Sequence, residues 1–326
     1  MLQLFRNNHF LNSLLLIPLI IVVHFPIFLT TSVDPHLGNG VLGVWTNEFL
    51  EGREVWKDIF VILLIFFEAI LLNRMIIIHR MSNEISLVPG YLWVLFTALH
   101  PDLIGYHALL LSVLFILIGM QSLFDTYKKS EVTNNLFNAG FFFGLASLVF
   151  APLSLLFLFA LIGVNVIRSL RPIDVRQYVT AYGTPYLLVG SLIYVFGDLN
   201  QAIREQWVDS WGFFNFSMAE PIDHLIAVLL VILLTAIVLL NASSYSSKKI
   251  IYAQKKISVL FLYLFFAFVM IGISDEPSLV HALLFLWPVA FFLSETFLLA
   301  KNTALAELFS FLLLGFALFM QYQSLL

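Results

Sequence analysis

The Lys and Arg residues of this chain fall almost entirely on one side of an alternating series of apolar segments. The sequence holds eleven apolar stretches long enough to cross, or nearly cross, a bilayer. With the N-terminus in the cytoplasm and the segments alternating, thirteen of the sixteen Lys and Arg lie on the cytoplasmic side, and Arg53, Lys57 and Arg204 lie outside. Thirteen of the twenty Asp and Glu lie outside. Retention of Lys and Arg in cytoplasmic loops sets orientation during insertion. The pattern predicts an all-α, polytopic transmembrane helix bundle of about eleven spans. It forms a single transmembrane domain over 1–326, with a cytoplasmic N-terminus and a first outside loop at about 31–56.

Composition narrows the function classes. At 61% hydrophobic and 11% charged residues, the chain departs from soluble domains, which carry about 25% charged residues. It has no cysteine, which excludes disulfides, thiolate metal sites and thiol nucleophiles. No basic run suggests nucleic acid. The first apolar run, about Leu11 to Thr30, has no small-x-small cleavage site after it and reads as an uncleaved span.

Further spans are expected at about Lys57–Ile78, Val88–His100, Leu103–Leu123, Asn138–Phe150 and Pro152–Ile167. A seventh ends near Phe196, and others follow at about Ile222–Leu240, Ile257–Ile273, Leu279–Leu293 and Thr303–Met320. A span needs about twenty apolar residues, so Val88–His100 and the pair meeting at Ala151-Pro152 are short. Two interfacial amphipathic helices are also expected. One is in VLGVWTNEFLEGREVW, on Val41, Val44, Trp45, Phe49 and Trp56; the other is in RPIDVRQYVTAYGTPY. Gly140, Gly144 and Ala146 are spaced for close helix packing.

Outside polar residues cluster as Asp34-Pro35-His36, His100-Pro101-Asp102, Asp198, Asp209, Asp223-His224 and Asp275-Glu276, with His281 a turn inside. Carboxylate with imidazole is the raw material of general acid–base work and of divalent metal sites. Solvated loops with Pro at the turns give the same pattern. His100 and Asp102 end a short span, which places them below the membrane surface. Glu68 and Asn73 lie inside the second span, where an acidic residue is a functional candidate by default; a helix–helix hydrogen bond, with Arg74, Asn302 or Glu307 as partners, is the plainer account. No His pair at i,i+3 or i,i+4 supports a four-histidine iron site.

At Asn138–Arg171 the sequence reads NAGFFFGLASLVFAPLSLLFLFALIGVNVIRSLR. This stretch resembles the middle of GT-C-type glycosyltransferases that use polyprenyl-phosphate-linked sugars, where a small-residue span, a break with Pro and a span ending in Arg follow one another. The chain as a whole also resembles a family of multi-span inner-membrane proteins of Bacteroidota, for which no activity is established. The GT-C resemblance implies catalytic carboxylates at Asp34 and Asp102. Substrate-binding roles go to His36 and His100, and the site is compatible with a divalent metal. It implies a polyprenyl-phosphate sugar at the outer leaflet as substrate, with membrane lipid and other envelope membrane proteins as partners, in the bacterial inner membrane. A non-enzymatic scaffold of an envelope complex and a transporter remain as alternative readings.

Overall fold

The computed structural model describes residues 2–6, 10–29, 40–129, 131–208, 210–212, 222–247, 249–274, 278–300 and 302–323. The chain opens with α1 (Leu2–Arg6), α2 (Phe10–Leu14) and α3 (Leu16–His24). It continues through α4 (Val41–Leu50), α5 (Glu54–Ile78), α6 (Val88–Phe96) and α7 (Ala108–Phe124). Next come α8 (Thr133–Val149), α9 (Leu156–Ile167), α10 (Pro172–Phe196) and α11 (Leu199–Trp207). The last part holds α12 (Ile222–Leu240), α13 (Ala242–Ser246), α14 (Ile251–Gly272), α15 (Leu283–Leu299) and α16 (Thr303–Gln323). Among the described residues there is no strand.

Five helical segments are long and apolar enough to cross a membrane: α5, α10, α14, Leu279–Leu299 and α16. At 1.5 Å per residue, the 25 residues of α5 extend about 37 Å, beyond a hydrocarbon core of about 30 Å. Asn12–Phe28, Ala108–Phe124, Ala151–Ile167 and His224–Leu240 are apolar but shorter. Large apolar and aromatic side chains, among them Leu187, Tyr194, Phe196, Leu229, Phe265 and Phe319, are exposed on the helices, a surface compatible with contact to lipid.

Several expected boundaries move. The stretch RPIDVRQYVTAYGTPY is not a separate interfacial helix but the first part of α10. Asp174 anchors its start by accepting from the Arg171 backbone N–H at 3.2 Å and the Arg171 guanidinium at 3.1 Å, with Pro172 in the first turn, where its missing N–H costs nothing. Likewise α8 begins at Thr133 rather than Asn138, and α14 at Ile251 rather than Ile257. Polar residues at these ends lowered the hydropathy without breaking the helix. The helix expected in the first outside loop is α4. It ends before Gly52, whose φ of +71° suits a residue without Cβ and turns the chain into α5. Of its apolar set, Val41 is buried, whereas Trp45 and Phe49 are exposed.

The small residues of α8 do what their spacing suggested. A Cβ on Gly140 would stand 2.8 Å from the Ala181 Cβ, and one on Gly144 would stand 2.6 Å from the Tyr182 carbonyl. The backbones of α8 and α10 therefore approach as closely as glycine permits. Pro185, inside α10, places its ring against the Gly144 notch.

At the centre lies α6, each of whose nine residues is buried. It is ringed by α1, α3, α5, α15 and α16. Two polar residues of α5 fasten it. Asn73 accepts the Gly90 N–H at 2.8 Å, and Glu68 accepts the Trp93 indole N–H at 3.1 Å. The partner of Glu68 is thus Trp93, not Arg74, Asn302 or Glu307. Glu68→Ala would strand a buried indole N–H and is expected to cost about 1–3 kcal/mol. Glu68→Gln keeps an acceptor and is expected to stay within about 1 kcal/mol. Thermal unfolding in detergent compares the two.

The end of the bundle where α5 ends and α14 begins is also polar inside. His79 caps α5 and receives the Lys256 ammonium on Nδ1 at 2.6 Å. Lys249 pairs with buried Glu295 and donates to the Met81 carbonyl. Burial first, and Lys256 second, push the His79 pKa down to about 3. A depressed histidine contributes stability that is full above its unfolded value of about 6.5 and is lost as pH falls toward about 3. By linkage the loss at pH 5 is about 2 kcal/mol. Melting temperature is expected to fall from pH 7 to pH 5, and less steeply in His79→Gln.

Candidate functional site

The segment from α6 to α7 carries two of the expected site residues. His100 is extended (φ −147°, ψ 149°) and precedes the 3₁₀ turn Pro101–Leu103. Pro101 fixes its own φ near −65° and starts that turn. The Asp102 backbone N–H donates to His100 Nδ1 at 3.2 Å, and His107 Nε2 bonds the Asp102 carbonyl. The segment is held by its own histidines rather than left as an open loop.

A third residue arrives from far along the chain. His224, in the first turn of α12, places Nδ1 3.4 Å from Asp102 Oδ2. His100 Nδ1 lies 3.6 Å from the same oxygen. The two imidazole rings are 4.7 Å apart, centroid to centroid, at 65°. His100 is almost wholly buried, with 4% of its side chain exposed; His224 has 15% and Asp102 has 50%. One face of the cluster is therefore set in protein and one is open.

This geometry fits a divalent cation. The candidate ligand atoms of His100, Asp102 and His224 all lie within 4.8 Å of one another. A tetrahedral ion with bonds of about 2.0–2.1 Å holds its ligands about 3.3 Å apart, close to the two Asp102–imidazole distances of 3.4 and 3.6 Å, and the two imidazoles come within 4.8 Å of each other. Two imidazoles and one carboxylate suit zinc-like ions, and three protein ligands leave a coordination position open for substrate or water. Coordination through His100 Nδ1 would replace the hydrogen bond from the Asp102 N–H.

An apolar groove lies beside this segment. It encloses about 510 Å³ between α4 and α5 and is lined by Thr46, Phe49, Arg53, Trp56, Phe60 and Leu63 among others. Phe60 of the groove lies 5.8 Å, ring to ring, from Tyr106, which belongs to the same chain segment as Asp102 and His107. Arg53 stands over the Phe49 ring at 4.6 Å and supplies a cation in the groove.

The other expected residues sort differently. Asp34 and His36 lie outside the described residues, as do Asp209, Asp275 and Glu276. Asp198 is a helix cap, accepting the N–H groups of Asn200 and Gln201 at 2.8 and 3.3 Å. His281 is buried and holds the turn before α15, accepting the Ser278 N–H at 3.0 Å. His24 bonds the Thr97 hydroxyl at 3.2 Å. These three serve the fold. Sequence reasoning placed His224 on the same side as His100 and Asp102 but did not pair it with them. Shared sidedness was the signal available, and it carries no distance.

Comparison of the chain with protein-family models, curated proteins and solved structures finds no match.

Proposed function

We propose that the protein is an integral membrane transferase, GT-C-like, acting on a polyprenyl-phosphate-linked sugar at the outer leaflet of a bacterial inner membrane. The observation that carries this reading is the convergence of His100, Asp102 and His224 beside an apolar groove. A prenyl chain would lie in the groove along α5, with Arg53 near its phosphate. Helix α6 covers only the nine residues Val88–Phe96, about 13 Å at helical pitch, less than half of the hydrocarbon core. In this reading His100 and Asp102, which follow so short a helix, lie below the outer surface, at a depth a lipid-borne phosphate can reach. The Lys and Arg asymmetry supports a cytoplasmic N-terminus, and the four shorter apolar segments, added to the five long ones, bring the candidate spans to nine; α6 and α8 would be the remaining two.

In this reading the acceptor hydroxyl attacks the anomeric carbon as the sugar–phosphate C–O bond breaks. Polyprenyl phosphate leaves with the bonding electron pair, and a carboxylate takes the hydroxyl proton. Asp34 serves as that base when Asp102 holds an ion, and Asp102 when the cluster is empty, with His36, and His100 in the empty cluster, positioning the phosphate or acceptor. A divalent ion held by His100, Asp102 and His224 would neutralise charge on the phosphate oxygens.

A second reading is favoured by the packed interior around α6, where Tyr91, Trp93, Phe96 and Trp287 are all fully buried. A filled bundle suits a non-enzymatic scaffold of an envelope complex. Complementation of a deletion strain separates the two, with envelope glycolipids and glycoproteins profiled by mass spectrometry. A sugar lost on deletion, restored by wild type and still missing in Asp102→Asn at normal protein level supports transfer. Full restoration by Asp102→Asn supports the scaffold.

A further inference from the structure

A second concave site lies among the loops that follow α7 and α9 and the first turns of α14. It encloses about 660 Å³ and is lined by Tyr127, Lys128, Lys129, Arg168 and Lys255 among others. Two of these cations have a structural occupation. Lys255 Nζ donates to the Ile167 carbonyl at 2.9 Å, and Arg168 donates to the Lys129 carbonyl at 3.2 Å. Both thereby quench carbonyls at or beyond helix C-termini, which would otherwise repel an anion. An ammonium has three donors and a guanidinium five, so each keeps donors to spare.

Capping does not account for Lys128 and Lys129. Lys128 adopts φ +53°, a left-handed conformation uncommon for a residue with a side chain. Residues held there cluster at functional sites. The ammonium groups of Lys128 and Lys255 lie 5.6 and 5.8 Å from the centre of the same Tyr127 ring. Asp174 is paired with Arg168 at 3.6 Å and with Arg171. Among the described residues no carboxylate is in ion-pair range of Lys128, Lys129 or Lys255. Four cations line one open concavity; of the nearby carboxylates, Asp174 is engaged by Arg168 and Arg171 and Asp125 faces Lys256 and Tyr252, so the cations outnumber them.

We infer that this pocket binds a phosphate-bearing anion: the headgroup of an anionic lipid or a soluble phosphate compound. A phosphate's several acceptor oxygens match the several spare donors, and its charge matches the excess. The inference does not rest on the transferase reading, because the pocket shares no residue with the His100 cluster.

The test uses the full chain in phosphatidylcholine nanodiscs, titrated with inorganic pyrophosphate by calorimetry. A parallel set of discs contains phosphatidylglycerol, and the lipid retained after delipidation is counted by mass spectrometry. Each cation near a membrane surface contributes about fivefold in affinity. Lys128→Gln/Lys129→Gln is thus expected to weaken binding on the order of 25-fold. Lys128→Gly removes one cation but also relieves the backbone. It is expected to weaken binding about fivefold without lowering the melting temperature. Saturable pyrophosphate binding without lipid retention points to a soluble phosphate. Retention of phosphatidylglycerol, displaced by pyrophosphate, points to the headgroup. No saturable binding in either arm, or binding that the variants leave unchanged, overturns the inference.

Discussion

Asp102→Asn and His224→Ala are each expected to reduce transfer of the lipid-linked sugar by about 100-fold or more, a range typical when a preorganised charge partner of a reacting group is lost. The reasons differ. Asn at 102 keeps the shape and the backbone carbonyl that His107 holds, but removes the carboxylate shared by both imidazoles. Ala at 224 leaves the α6–α7 segment intact and removes the ligand that comes from α12. Neither change touches the core: Asp102 is half exposed and His224 stands at the edge of the cluster. Melting temperatures are therefore expected to stay near wild type while activity falls. Equal losses in the single and double variants would mark the residues as one unit. Activity retained in His224→Ala would reduce the cluster to a surface coincidence.

Gly144→Leu is expected to have the largest effect on stability. Even the first carbon of a side chain there would fall 2.6 Å from the Tyr182 carbonyl and 3.1 Å from the Pro185 ring. The nearest obstacle is backbone, which cannot step aside as a rotamer can. Overpacking of this kind costs about 1–3 kcal/mol and more when helices must part. The gain in helix propensity over glycine, about 1 kcal/mol, does not offset it. The effect spreads, because α8 also packs along α7, where a Cβ on Gly119 would meet Phe143 at 2.6 Å. Thermal unfolding in detergent is the readout, with Gly183→Leu as the control, since nothing lies within 4 Å of that position. A Gly144→Leu protein as stable as the control would mean that α8 and α10 are not so close.

The parts of the fold that were legible in the sequence are those in which hydropathy and packing agree. Helix α12 coincides with the expected span Ile222–Leu240, and α16 departs by a few residues at one end. Reading failed where a helix continues through polar residues. Arg176, Gln177, Thr180 and Thr184 made the first half of α10 look interfacial, yet Thr180 and Thr184 return their hydroxyls to the carbonyls four residues back at 3.0 and 2.8 Å. That satisfies the hydroxyls within the helix. The short α6 was visible as a short span, but its burial on all sides was not, because an apolar run looks the same against lipid as against protein.

The site divides in the same way. His100 and Asp102 are two positions apart and were legible from local chemistry. His224 is more than a third of the chain further on. Its arrival depends on how α12 packs against α15 and the turn at Leu279–Ala282, which no local pattern encodes. The buried pairs Lys249–Glu295 and Lys256–His79 were hidden for the same reason: each looked like an ordinary charge at a loop.

Metal binding by the purified chain decides whether His100, Asp102 and His224 form one cation site. Titration with Co²⁺, followed by visible absorption, reports both stoichiometry and coordination, and Zn²⁺ calorimetry gives affinity. The expected result is one equivalent bound with a low-symmetry, four- or five-coordinate spectrum, displaced by Zn²⁺ and lost in His224→Ala and in Asp102→Asn. No binding above that of a His224→Ala protein, or binding unchanged by either substitution, would contradict it.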